Sequence, residues 1–334
     1  MHLDLVKPAQ TKALSGPSQQ ERDRLAALER TEANHATAMA GLACLQRVEA
    51  PPTALAQPLA LPLTVAAWNL ERCYNVEKSA EALQREGARL VLLSEVDNGM
   101  ARTKQRHTSR DIAQQLGMTH AFGVEFLELE LGAEVELEFC EDAFNLHGFH
   151  GNALLAPTVL QAPMMIRLEA HGHWFTPETP ARRIGTRCAI AAAVMTTAGP
   201  IYAVSVHLEN RAEAAYRETE LRGLIDAIEQ LAGDMPVIVG GDLNAGLVSK
   251  DGVGEETLFA HALGRGFELH GGPLDQPTTR PSRVSRKPHG TWKIDWFLTR
   301  GVEVAESRIV SSVAPDGEVL SDHDMVVIEV VGLR

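Results

Sequence analysis

Six places in this chain put polar residues at the ends of strongly apolar segments or inside them. Asn69 and Glu71 close VAAWNL, Glu95 closes RLVLLSEV, and His207 closes IYAVSVHL. Asp242 and Asn244 follow the apolar run in VIVGGDLN, Asp322 and His323 precede MVVIEVV, and Asp295 interrupts KIDWFL. Each alone has an ordinary explanation, since Asn and Asp form turns and a Glu after an apolar run can be its first exposed residue. Together they carry more weight, because α/β folds collect ligands at strand ends, where a rigid sheet aims several side chains at one point. Carboxylates and carboxamides are hard oxygen ligands that suit Mg²⁺ or Mn²⁺ rather than zinc. Two histidines add proton transfer and anion contact.

The elements that must hold these groups read as short apolar strands at 65–70, 89–96, 152–157, 187–195, 201–208, 235–244, 293–301 and 325–331. Helical patterns fall between some of them. The clearest covers 211–232, where Leu221, Leu224, Ile225, Ile228 and Leu231 share one face. Long and short connections together imply mixed sheets in an α/β domain over 61–334. Residues 1–60 differ: Leu25, Leu28, Met39, Leu42, Leu45 and Val48 recur at helical spacing, and Pro51, Pro52, Pro58 and Pro62 follow. This reads as a helical extension and Pro-rich linker that packs on the main domain or mediates self-association.

The 334 residues are 45% hydrophobic and 22% charged, the balance of a globular chain rather than a disordered one. No apolar run approaches the roughly 20 residues of a transmembrane helix. The start of the chain lacks a secretory pattern, and four dispersed cysteines without CxxC spacing argue against a zinc site or disulfide framework, so the cytoplasm is the expected location. The net charge of −13 disfavours a sequence-independent clamp on duplex DNA. Eight acidic residues in 125–142 supply more than half of it, in two alternating halves around Gly132–Ala133 that read as a solvated β-hairpin; the sharper reading is an acidic wall that excludes polyanions or grips a cation or partner. Basic residues gather elsewhere: Arg102, Lys104, Arg106 and His107 after Glu95; Arg182, Arg183 and Arg187; and Arg280, Arg283, Arg286, Lys287 and Lys293 before Asp295. They suit a local phosphate pocket, with Arg102, His107, Arg187, Arg286 and Lys293 as candidate substrate contacts.

WNLE (68–71), SEV (94–96), GNALL (151–155), VHLEN (206–210), GGDLN (240–244), KIDW (293–296) and SDHD (321–324) occur in an order that resembles the endonuclease/exonuclease/phosphatase, or DNase I-like, superfamily over about 64–331. The resemblance implies a four-layer α/β/β/α sandwich of two mixed β-sheets flanked by helices, with the site at one end of the sheets. It implies Glu95 as principal metal ligand with Asn69 close by, Asp322 supporting the metal, and Glu71 where some nucleases carry a metal-assisting Asp. Asp242 would orient or deprotonate water, Asn244 would position water and phosphate, and His323, held by Asp295, would contact the scissile phosphate. Whether Asp242 or His323 is the base stays open. His207 would donate to the phosphoryl or leaving oxygen, and Asn152, from GNALL, is a further candidate substrate contact. The implied activity is Mg²⁺- or Mn²⁺-dependent phosphodiester hydrolysis. A compact substrate, such as a single-stranded nucleic acid end or a phospholipid or sphingolipid head group, is favoured over duplex DNA. A DNA or RNA endonuclease, and a non-phosphate hydrolase or binding protein on the same scaffold, are the alternatives.

Overall fold

The computed structural model describes residues 6–168, 174–179, 181–246, 256–285 and 291–334. Two sheets face each other. One has seven strands in the order Val6–Lys7, Leu160–Arg167, Cys188–Thr196, Gly199–His207, Val237–Asp242, Asp295–Arg300, Glu268–His270. The other has nine; its main path runs Val302–Val310, Met325–Leu333, Leu63–Arg72, Leu90–Asn98, Phe149–Ala156, Thr119–Glu128, Val48–Glu49, Gln10–Thr11, and Arg183–Gly185 pairs with Thr119–Glu128. Both sheets mix parallel and antiparallel pairs, as between Leu63–Arg72 and Leu90–Asn98 (parallel) and between Leu90–Asn98 and Phe149–Ala156 (antiparallel).

Three apolar layers explain why the strands read as unbroken apolar runs: both faces of each sheet are covered. Val65, Ala67, Leu90 and Leu92 meet Ile190, Ala203, Ile238 and Phe297 between the sheets. The alternate residues Ala66, Trp68, Val91 and Leu93 face the helices Val76–Arg85 and Thr108–Leu116 through Val76, Leu83 and Ile112. On the far side, Val204, Val206, Val237 and Val239 pack beneath Ala214–Ala232 and Thr257–Gly264. The result is the helix–sheet–sheet–helix sandwich that the resemblance implies.

The strands at Leu160–Arg167 and Val302–Val310 lacked a clear sequence signal, and two departures concern charge and chain order. The first 60 residues do form helices, at Gln19–Ala26 and Glu32–Gly41, but they also contribute short strands to the edges of both sheets. They are therefore hydrogen-bonded into the sandwich. The acidic segment is not a hairpin. Its first half completes the Thr119–Glu128 strand, whereas Glu134–Phe139 is a 3₁₀ turn after Gly132, whose φ is 124°. It is solvated only in part: Glu130, Glu134, Glu138 and Glu141 are exposed, whereas Glu125, Glu128 and Glu136 are fully buried. Each is drawn inward by arginine, Glu125 to Arg187 (2.5 Å), Glu128 to Arg183 (2.8 Å), and Glu136 to Arg72 (2.7 Å) and Arg102 (2.8 Å). Among the described residues no helix is long and apolar enough to cross a membrane.

Candidate active site at the end of the two sheets

In the seven-stranded sheet, His207 is paired with Asp242, and Asp242 with Asp295, at one level across three neighbouring strands. Directly paired residues share a face, and the alternation from Ala203, Ile238 and Phe297 places all three on the inter-sheet side. Gly241 makes this register possible. Its φ is 150°, and a Cβ there would stand 1.9 Å from the Val206 carbonyl oxygen, so the motif needs glycine immediately before Asp242.

The opposing sheet supplies Asn69 and Glu95, and here the ladder breaks. Register shifts lie between Asn69 and Arg72 and between Leu93 and Val96. Glu71, Arg72, Cys73 and Glu95 all have positive φ, as does Asn244 on the other side of the cleft. Such backbone is costly for residues with a Cβ and concentrates where a side chain must be re-aimed. Simple alternation would send Glu95 toward the helices with Val91 and Leu93. The bulge instead turns its carboxylate to Asn69 (3.2 Å) and the Arg72 guanidinium.

Asn69 bridges the sheets. Its Nδ2 donates to Glu95 and to Asp242 (3.1 Å), while its Oδ1 accepts the Glu71 amide. With the oxygen turned away from the carboxylates, Asn69 braces Glu95 against Asp242 rather than offering an oxygen ligand, which revises its expected place among the ligands. Asp242 Oδ2 also lies 3.5 Å from His207 Nε2 and 3.7 Å from His323 Nε2, leaving room for a bridging oxygen. The other oxygen of Asp242 accepts the Asn244 amide, and Asn244 Nδ2 is tied to the Leu208 carbonyl. His323 Nδ1 meets Asp295 Oδ2 at 2.8 Å, and Thr278 donates to the same carboxylate. The Trp68 indole donates to the His323 carbonyl.

Burial opposes charge on each of these groups, and partners decide the outcome. His323 is held well above the usual imidazole range: Asp295, Asp242 and Asp322 outweigh its burial. Glu95 is held well below the carboxylate range despite burial, by Arg72 and then His207 and His150. Glu71 goes the other way, to about 7, through burial and the nearby Asp322. It accepts from Ser282 (2.6 Å), the Ser285 amide and the Asp322 amide, while Asp322 accepts from Ser285. Asp242, Asp295 and His323 offer ligand atoms within 4.8 Å of one another. A cleft with five carboxylates, in which Glu71 is pushed toward the neutral form by burial and the charge of Asp322, and Asp322 by burial and the charge of Glu95, has the hard-oxygen chemistry that a Mg²⁺-like ion fits. Glu95 and Asp322 would be the residues to hold one. Glu71 is committed to bracing the 282–285 loop.

The expected substrate contacts divide. Arg187 reaches the cleft, where its Nη1 lies 2.8 Å from His207 Nδ1 and its Nε 3.1 Å from Glu209. Arg102 does not: it is completely buried between Asp97 and Glu136, because those carboxylates would otherwise be buried without a counter-charge. His107 is buried as well, at the N-terminus of Thr108–Leu116 and 2.9 Å from Glu49. Asn152 is fully buried and donates to the Cys188 carbonyl. These three are corrected from substrate contacts to internal ones. Lys293 donates to the Gly271 carbonyl and lies over the Trp296 ring. Arg286 and Lys287 lie outside the described residues, and of their loop, Arg280 is already paired with Asp324.

Sequence reasoning missed Arg72, Arg211, His150, Phe126 and Trp174. With Glu95, Arg183 and Arg187 these line a cavity of about 420 Å³ beside the cleft cluster. Arg72 and His150 each stand next to a motif, one residue after WNLE and one before GNALL. That adjacency was the available signal.

Solved structures with this architecture include an endonuclease/exonuclease/phosphatase from Beutenbergia cavernae (18% identity over 81% of this chain and 71% of that one, TM-score 0.60). They also include a functionally unknown conserved protein from Enterococcus faecalis (17%, 81% and 100%, 0.56) and the human Nocturnin catalytic domain with bound sulfate (19%, 82% and 96%, 0.55). No curated protein matches the sequence. Identities this low speak for the fold, whereas the family model spans residues 66–323 and includes every residue of the cleft cluster. The chain belongs to the Endonuclease/Exonuclease/phosphatase family.

Proposed function

We propose that this protein is a divalent-metal-dependent phosphodiesterase acting on a compact substrate by in-line attack of water. The observation that carries this reading is the convergence of Asn69, Glu95, His207, Asp242, Asp295 and His323 at one end of the sheets. A Mg²⁺ or Mn²⁺ ion held by Glu95 and Asp322 would supply Lewis acidity toward the phosphoryl oxygens. The protein's own groups supply the rest. The His323 imidazolium, kept charged by Asp295, is a fixed donor for a developing phosphoryl charge. Asp242, held by Asn69 and the Asn244 amide, is the acceptor for the proton of the attacking water, which assigns the base role to Asp242 rather than His323. His207, steered by Arg187 and Glu125, faces the space between Asp242 and Glu95 and suits the leaving oxygen.

Substrate size follows from the cavity. About 420 Å³, flanked by Arg72, Arg183, Arg187 and Arg211, fits one phosphorylated group or a strand end. The bound sulfate of the Nocturnin domain is a tetrahedral anion of the same class. Hydrolysis of bis(p-nitrophenyl) phosphate with Mg²⁺ or Mn²⁺, compared with Asp242→Ala and Glu95→Ala, tests the reaction. Turnover that persists in both variants would refute it. Single-stranded oligonucleotides, duplex DNA and phospholipid or sphingolipid head groups, assayed side by side, test the substrate class.

A further inference from the structure

A second cluster lies away from the catalytic cleft, on the helix-facing side of the nine-stranded sheet. Glu49, His107 and His120 come from three separate segments: the Val48–Glu49 edge strand, the start of the Thr108–Leu116 helix, and the Thr119–Glu128 strand. The layer is set by neighbours. Ala121 belongs to the inter-sheet core, Phe122 to the helix-side core, and the His107 ring meets Phe122 edge-on at 5.0 Å. All three side chains are more than nine-tenths buried. His107 Nε2 is 2.9 Å and His120 Nε2 3.2 Å from the same oxygen, Glu49 Oε1, while Oε2 accepts the Leu14 amide.

Two features set this cluster apart from an ordinary buried hydrogen-bonded group. The first is charge. The buried carboxylates Asp97, Glu125, Glu128 and Glu136 are each paired with an arginine, whereas Glu49 is faced by two imidazoles. The second is geometry. His107 Nε2 is buried and has no aligned hydrogen-bond partner, although Glu49 Oε1 is close. Two imidazole nitrogens and one carboxylate oxygen within 4.8 Å of one another form a three-ligand set that leaves a fourth position for water.

We propose that Glu49, His107 and His120 bind a divalent transition-metal ion of the Zn²⁺ class, which joins the N-terminal segment to the catalytic sandwich. Imidazole with one carboxylate suits Zn²⁺ or Co²⁺ better than Mg²⁺, so this site is chemically distinct from the oxygen-rich cleft. Binding through His107 Nε2 requires the ring proton on Nδ1, donated to Ser109 Oγ. The alternative partner of Nδ1 is the Arg110 amide, and both contacts are 3.4 Å, so the exchange forfeits only a long helix-capping bond. Because the ligands come from distant parts of the chain, metal affinity is linked to folding.

The test uses the full chain carrying Glu95→Gln, Asp322→Asn, Asp242→Asn and His323→Asn, which removes the proposed cleft ligands and the Asp242–His323 pair as a competing site. After chelation, one equivalent of Co²⁺ should bind with the intense visible bands of a four- or five-coordinate ion. X-ray absorption of the Zn²⁺ form should show two imidazoles at about 2.0 Å. Zn²⁺ should raise the melting temperature by roughly 5 °C or more. Adding Glu49→Gln or His120→Gln should weaken binding at least about 100-fold. Absence of a bound equivalent, a first shell without imidazole, or unchanged affinity in both ligand variants would overturn the proposal. Should the ligand variants fail to fold, the absorption spectrum of the chain with Glu49 and His120 intact decides it.

Discussion

His323 and Asp295 are locked in a 2.8 Å Nδ1–Oδ2 contact, which leaves Nε2 of the same ring facing Asp242 across 3.7 Å. Asp295 thereby fixes both the orientation of the imidazole and its charge. Asp295→Asn keeps the shape and removes the charge, so His323 loses its strongest reason to stay protonated. We expect kcat on a phosphodiester to fall about 10²–10⁴-fold with KM changed little. The alkaline limb of the pH–rate profile should move toward lower pH, as the ring loses its proton earlier. Steady-state kinetics across pH check this, and an unchanged alkaline limb would count against it.

Glu95→Gln should weaken Mn²⁺ binding and abolish turnover, because it removes a cleft carboxylate that Arg72 and the neighbouring histidines hold well below the usual carboxylate range despite its burial. Mn²⁺ titration followed by paramagnetic resonance reads the binding directly. Equal Mn²⁺ affinity in both proteins would remove Glu95 from the ligand set.

Arg102 stands as a test of burial against sequence position. It is fully enclosed, donating to both oxygens of Asp97 at 2.8 Å and to Glu136 at 2.8 Å. Arg102→Met leaves two carboxylates buried without it and should cost about 3–5 kcal/mol of stability. Urea unfolding measures the loss. A phosphate-contacting arginine would instead show normal stability with a raised KM.

Stability should fall in mild acid partly through His35. Burial pushes its pKa down to about 4 from 6.5, against a smaller opposing contribution from its backbone partner Gly185. The unfolded chain therefore takes up the proton first. The contribution is complete above pH 6.5 and is lost as pH falls toward 4, at about 1.4 kcal/mol per pH unit for one proton. His35→Phe should be less stable at pH 7.5 yet have a shallower decline between pH 6.5 and 5. Parallel declines in urea midpoint would exclude His35.

Much of the sandwich was legible because strands covered on both faces become continuous apolar runs, as at 65–70, 89–96 and 201–208. The cluster at the end of the sheets was legible for the same reason, since a polar residue at the end of such a run stands out. The 134–139 segment misled because strict alternation of acidic and apolar residues is a strand's period. In the fold, Glu136 is captured by Arg72 and Arg102, and its carboxylate also caps the 3₁₀ turn through the Ala133 amide.

The sequence by itself determined the family, the sheet-forming segments and the identity of the groups at their ends, all local properties of residue type and order. Only the tertiary structure decided which charges face the cleft. Arg187 and Arg102 look alike in sequence, each a basic residue within a short basic cluster. One lies beside His207 at the catalytic end, and the other is sealed between Asp97 and Glu136. A guanidinium's role depends on the carboxylates brought to it by chain segments tens of residues away, and that pairing is a product of long-range packing. The bulge that turns Glu95 into the cleft belongs to the same class: alternation predicts its side chain on the helix side, and strand pairing reverses it.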